Sequence, residues 1–221
     1  MKTSIIFILF LFLYSCATSS KPKNIVLLIG DGIGPQQVSL AESFARYSKY
    51  SNYSHKSLNM VELNKTGALG LSFTSPHGAI VTDSAASATH LATGELVLPE
   101  AVSVSVDGKN IKTILELAKA KGKATGVVTD TRVTHATPAA FVSHVINRKM
   151  ENEIAEQIIA LKPDITFGGG LRHFLPQSNE KSKRKDDKDL IAQAQKNGMS
   201  VVYNKNDLAQ APVDKPILGL F

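Results

Sequence analysis

Five side chains in this sequence could do chemistry together. Asp31 stands between Gly30 and Gly32, so its carboxylate can approach a cation without crowding from its neighbours. Hard divalent ions and zinc both accept such an oxygen. An Asp-Gly pair is also a common turn. Ser84 follows Asp83 and opens a run of small residues, SAASAT. A serine at a helix start sits among free backbone N–H groups and the positive end of the helix dipole, which favour an anionic ligand. A metal on its oxygen would make it a nucleophile; a serine there can also simply cap the helix. His135 and Thr137 are two residues apart in a segment that ends at Pro138, and an extended backbone would put both on one face. Arg148 closes the pattern AAFVSHVINRK. Its planar fork can hold two phosphate oxygens at once, whereas a cation at a helix end can also just offset the dipole.

The elements that must position these groups follow from the apolar pattern. Residues 24–29 (NIVLLI) form a short continuous apolar run, which predicts a strand buried on both faces and places Asp31 at its C-terminal end. Pro35 then opens a helical pattern. Strands are also predicted over 67–72, 78–81, 124–129, 164–167, 200–203 and 217–221. Helices are predicted over 84–92, 111–121, 139–145, 151–161 and 190–197. Strands alternating with helices predict an α/β fold with a mostly parallel central sheet and helices on both faces. Residues 179–189 are expected to be a disordered or inserted loop, His144 to be structural, and His90 to be a packing or surface residue and not a ligand.

The N-terminus carries its own signal. Lys2 precedes the apolar run 5–14 (IIFILFLFLY), too short for a mature span of about 20 apolar residues. Residues 1–15 are expected to be a lipoprotein signal peptide and 16–23 a tether. Cys16, the single cysteine, stands where a lipid would be attached, so the protein is expected to be exported and membrane-anchored, periplasmic or at the cell surface. The net charge of +6 is modest. Its densest basic run, 181–188 (KSKRKDDK), mixes in acids and has no aromatic interleaving, which argues against nucleic acid as a partner.

Three segments together are more specific than any one residue. GDG at 30–32, VTDSAASAT at 81–89 and THATPAAF at 134–141 with Arg148-Lys149 resemble the N-terminal part of the alkaline phosphatase family over residues 23–221. The resemblance implies a phosphomonoester hydrolase with a metal-activated serine and a phosphoseryl intermediate. It implies two zinc sites and one magnesium site. Asp31 would bridge two metals, Ser84 would be nucleophile and ligand, and Thr137 would bind magnesium. His135 would lie at the third metal position, where some members have aspartate. Asp83, Ser84 and Arg148 would contact the substrate, a phosphate monoester, and the full-length form would pair as a homodimer. His90 departs from the family's small apolar residue.

The family's remaining ligands include a D-x-x-x-H motif, and none of His55, His77, His90, His135, His144 and His173 has an acid four residues before it. The chain is therefore expected to be a truncated form with little turnover of its own. Two other readings stay open. One is a non-catalytic lipoprotein keeping an anion pocket at Ser84 and Arg148. The other is a different hydrolase of the superfamily, such as a phosphodiesterase. Ser84-Ala85-Ala86 does not fit the C/S-x-P-x-R context of a sulfatase.

Overall fold

The computed structural model describes residues 22–53 and 55–221. The expected signal peptide, Cys16 and the tether up to residue 21 lie outside them. Residues 22–30 and the unit Asp31–Phe221 are separate bodies.

The larger unit has four strands: β1 (Gly126–Arg132), β2 (Ile165–Gly169), β3 (Ser200–Val202) and β4 (Ile217–Leu220). They make one sheet in the order β1-β2-β4-β3, every neighbour parallel. Parallel neighbours require crossovers, and the intervening helices supply them. Gly168 lets β1 and β2 approach: a Cβ there would lie 2.7 Å from Thr129 Cγ2 and 2.9 Å from the Thr131 carbonyl. The triple glycine is thus a packing device and a turn, with Gly170 at φ 100°.

The helices carry local signals that agree with their ends. α1 (Pro35–Tyr47) begins at a proline, and Gln37 turns back to accept the Gly34 N–H at 3.0 Å. α2 (Asn59–Leu63) follows. α3 (Ser84–Thr93) starts at Asp83 and stops at Gly94, whose φ of 79° no L-residue takes readily. α4 (Ile114–Ala120) opens with a reciprocal pair between Thr113 and Glu116. α5 (Ala136–Val142), α6 (Glu151–Leu161), a 3-10 turn (Leu171–His173), α7 (Leu190–Lys196) and α8 (Lys205–Gln210) complete the order. Alanines let α3 and α5 pack closely: Ala85, Ala88, Ala92, Ala136, Ala139 and Ala140 are all buried in the main core. Ile154, Ile158 and Ile159 of α6 extend that core with Phe174, Leu190 and Leu218.

Several expectations need correction. Residues 24–29, 67–72 and 78–81 are not strands among the described residues. Leu71 and Phe73 are each 92 % exposed. A strand exists by pairing, and apolar content alone does not make one. The helix expected over 139–145 lies three residues earlier, at Ala136–Val142. Pro138 suits a first helical turn, where its missing N–H costs nothing. Helices α2 and α8 were not foreseen. The basic segment 179–189 is ordered around Arg184, whose side chain is 1 % exposed. Its guanidinium donates to Asp186, Glu156 and the carbonyls of Asn152 and His173.

Candidate active site

The N-terminus of α3 organises one half of the site. Asp83 caps it, its Oδ1 accepting the Ala85 N–H at 2.7 Å. Ser84 is therefore the first helical residue, as its flanking sequence suggests. Arg148 reaches this point from a turn: Nη1 donates to Ser84 Oγ at 2.9 Å and to Asp83 Oδ1 at 3.2 Å. α5 ends at Val142, so Arg148 is not on a helix as its sequence pattern suggests. Its main-chain N–H donates to the Glu100 carbonyl at 2.8 Å. The Asn147 side chain donates to the Glu100 carboxylate at 2.8 Å.

The other half stands at the start of α5. His135 occupies the N-cap position, and Thr137 lies within the first helical turn. The pair is not on a strand, because the turn from Arg132 begins the helix: the His135 N–H donates to the Arg132 carbonyl at 2.8 Å. Thr137 Oγ1 donates to Asp31 Oδ2 at 3.0 Å, joining residues 106 apart in sequence. Arg148 Nη2 lies 3.1 Å from His135 Nε2 and links the two halves. A guanidinium can only donate, so Nε2 accepts and the ring proton sits on Nδ1. That Nδ1 is buried with no partner. Burial, and then the charges of Arg148 and Arg132, lower the His135 pKa, while Asp31 and Glu151 oppose them. The imidazole is neutral in this setting.

Beneath α5 a carboxylate sets the approach. Glu151 accepts Arg132 Nε at 2.7 Å and Nη2 at 3.0 Å, and the Thr134 hydroxyl at 2.6 Å. His173 Nε2 is 3.1 Å away. Burial raises the Glu151 pKa, but the bonds from His173, Arg132 and Thr134 outweigh it and hold the carboxyl far below its ordinary range. Glu151 and Glu100 had no sequence signal: neither sits in a motif, and both act through contacts with residues distant in sequence. His144 bonds the Ser103 carbonyl and Glu116, and His90 lies in the last turn of α3.

Asp31, Asp83, Ser84, His135, Thr137 and Arg148 are thus brought together, in two clusters joined by the Arg148–His135 contact. A profile of the alkaline phosphatase family matches residues 22–221. The chain belongs to the alkaline phosphatase family. The alkaline phosphatase of Schizosaccharomyces pombe is 37 % identical over 214 residues, covering 94 % of this chain and 39 % of the relative. That of Escherichia coli K12 is 35 % identical, covering 92 % and 47 %. The streptomycin-6-phosphate phosphatase of Streptomyces griseus is 35 % identical, covering 90 % and 47 %. Among solved structures, the Thermus thermophilus alkaline phosphatase superposes with a TM-score of 0.77 at 32 % identity, over 87 % of this chain and 38 % of that one. A mutant of the TAB5 alkaline phosphatase with magnesium bound gives 0.73 at 31 %, over 90 % and 53 %. The α/β, alkaline-phosphatase-like fold follows. The chain spans less than half the length of the curated relatives named here.

Among the described residues, no three His, Cys, Asp or Glu side chains are grouped to hold a metal ion. The residues present nevertheless suit part of a divalent-cation cradle. Asp31 and Thr137 offer two oxygens 3.0 Å apart, and His135 stands beside Thr137 at the start of α5; with its proton on Nδ1, its ring could ligate only through Nε2, the atom that now accepts Arg148.

Proposed function

We propose that this chain forms the nucleophile-bearing part of an exported phosphomonoester hydrolase, an alkaline phosphatase acting through a phosphoseryl intermediate. The observation that carries this reading is Arg148 donating to Ser84 Oγ at a helix N-terminus. A phosphoryl group on Ser84 would meet the guanidinium fork and the first free N–H groups of α3, donors suited to its negative charge. Asp83 accepts from the same Nη1 as Ser84 and keeps Ser84 at the helix start. Asp83, Ser84 and Arg148 are accordingly the substrate contacts.

Asp31, His135 and Thr137 would hold a magnesium ion, and the oxygens of Asp31 and Ser84 would serve zinc. When bound, such ions supply Lewis-acid activation of the serine and stabilise charge on the leaving oxygen. This chain's own residues set the stage for that: Thr137 orients the Asp31 carboxylate, and neutral His135 holds the Arg148 fork through Nε2, the nitrogen it would have to free for a cation. By the same reading Cys16 carries a lipid, the protein faces an extracytoplasmic space, and the full-length form is a homodimer.

The test is p-nitrophenyl phosphate hydrolysis at alkaline pH with zinc and magnesium, together with mass spectrometry for phosphate on Ser84. The 221-residue chain is expected to turn over little and to lose any phosphoserine in Ser84→Ala. Hydrolysis that ignores both Ser84→Ala and Arg148→Ala would overturn the reading. Membrane partitioning unchanged by Cys16→Ala would remove the lipid anchor.

A further inference from the structure

Glu100 is one of four non-glycine residues with a left-handed backbone among the described residues, at φ 64°. Ser103, at φ 47°, is another, three residues later. Such a conformation is held only where the surroundings over-determine it, and it clusters at functional sites. What holds Glu100 is the site itself. Its N–H donates to Asp83 Oδ2 at 2.7 Å. Its carbonyl accepts the Arg148 N–H at 2.8 Å. Its carboxylate accepts Asn147 at 2.8 Å and lies 3.7 Å from Lys149. Two residues on, Val102 and Val145 exchange N–H to carbonyl bonds at 2.9 and 3.0 Å, so 100–102 and 145–148 run antiparallel. The hydroxyl of Ser103 donates to the Ala140 carbonyl at 2.6 Å and ties the same segment to α5.

We infer that Glu100 is a positioning residue: its left-handed main chain ties the Asp83 cap of the Ser84 helix to the turn that carries Arg148. This rests on the reading of Ser84 and Arg148 as the phosphoryl-holding pair. The left-handed turn at this point directs the N–H toward Asp83 and the carbonyl toward Arg148. A residue forced to negative φ would lose one of the two bonds and let the arginine turn drift from the serine. The main chain carries this role. The carboxylate only steadies Asn147 and Lys149.

The role is tested on the 221-residue chain by comparing Glu100→Gly with Glu100→Val. Glycine takes positive φ freely, whereas a β-branched side chain resists it. The readouts are amide exchange at Arg148, the Arg148 Nε–H resonance, and its shift on titration with inorganic phosphate. Exchange at Arg148 should be about tenfold faster in the valine variant than in the glycine variant, with phosphate affinity weakened in the same order. Amides of Ile158 and Leu218, in the distant core, should stay protected. If Glu100→Val fails to fold, Glu100→Ala against Glu100→Asn makes the same comparison more mildly. Glycine and valine variants that behave alike at Arg148 overturn the inference. The same follows if Glu100→Gln loosens Arg148 as much as valine does, because the carboxylate would then be the anchor. A chain whose Arg148 signal ignores phosphate, with the exchange ranking kept, overturns the phosphate reading and leaves the main-chain tie standing.

Discussion

Within Asp31–Phe221, the stretch before Ser84 and the stretch after it are built differently. From Ser84 onward, helices and strands bury one another. Ala85, Val133, Ile154, Ile158 and Leu218 are each fully enclosed. Before Ser84, the fully enclosed apolar side chain is Ala45 alone among the described residues, and Leu69, Leu71, Phe73, Ile80 and Val81 face outward. The site straddles this divide. Ser84 is fixed as the first residue of α3, and Arg148 is held by bonds to Asp83, Ser84, His135 and the Glu100 carbonyl. Asp31, from the sparse stretch, is held in the site by a single side-chain bond to Thr137. Apolar residues alone therefore do not make a rigid wall; they do so where the chain brings them partners.

Five measurements would break or sharpen that contrast. The largest effect belongs to the core of the packed stretch. Ile158→Ala should lower the unfolding free energy by about 2–5 kcal/mol, read from urea midpoints. A loss under about 1 kcal/mol would show that α6 is not the support described here.

Next comes Glu151, whose folded-state pKa lies below the ordinary glutamate value of 4.5. A depressed carboxyl contributes stability that is present above the unfolded value and is lost as pH falls below it. The wild-type urea midpoint should thus fall as pH drops below about 4.5, while Glu151→Gln should show a flatter acid limb. At pH 7 the substitution should cost about 1–3 kcal/mol, since Arg132 keeps its charge and loses its partner. An unchanged acid limb would mean that this carboxylate does not anchor the start of α5.

Asp83→Ala should cost about 1 kcal/mol through the lost helix cap. It should also weaken inorganic phosphate binding by freeing Arg148, measured by calorimetry. Stability lost with phosphate affinity intact would separate capping from arginine placement.

Thr137→Val should cost no more than about 0.5–1.5 kcal/mol, because a single bond to an exposed carboxylate is at stake. Faster amide exchange confined to the residues around Asp31 is the expected signature. The smallest effect is Leu71→Ser, within about 0.5 kcal/mol of the parent. A loss comparable to that of Ile158→Ala would show that the sparse stretch is packed in solution after all.

Much of this architecture is readable from short-range sequence rules. Pro35, Asp83 with Gly94, Thr113 with Glu116, and Asp189 mark helix ends through contacts within a few residues, and the helices begin or end there. The strands at Gly126–Arg132, Ile165–Gly169, Ser200–Val202 and Ile217–Leu220 were legible because their partners lie in the same packed stretch. The runs at 24–29, 67–72 and 78–81 carry the same apolar content and are not strands among the described residues. A periodicity of apolar residues reports what a segment can pair with and does not supply the pair.

For the site, the sequence by itself determined the residue types: a carboxylate between glycines, a capped serine, a His-x-Thr pair and an arginine, in a pattern specific enough to imply the family. Local chemistry also settled that Ser84 opens a helix, since capping is decided within one turn. Only the tertiary structure decided that Thr137 stands on a helix, that Arg148 comes from a turn, and that Arg148 touches both Ser84 and His135. It alone exposed Glu100 and Glu151. Their work is done by a left-handed peptide and by a half-enclosed carboxylate, both held by residues far along the chain. The physical reason is range. Caps and turns are fixed by bonds spanning three or four residues, whereas a site joined across 106 residues, as Asp31 is to Thr137, exists only after the chain has packed.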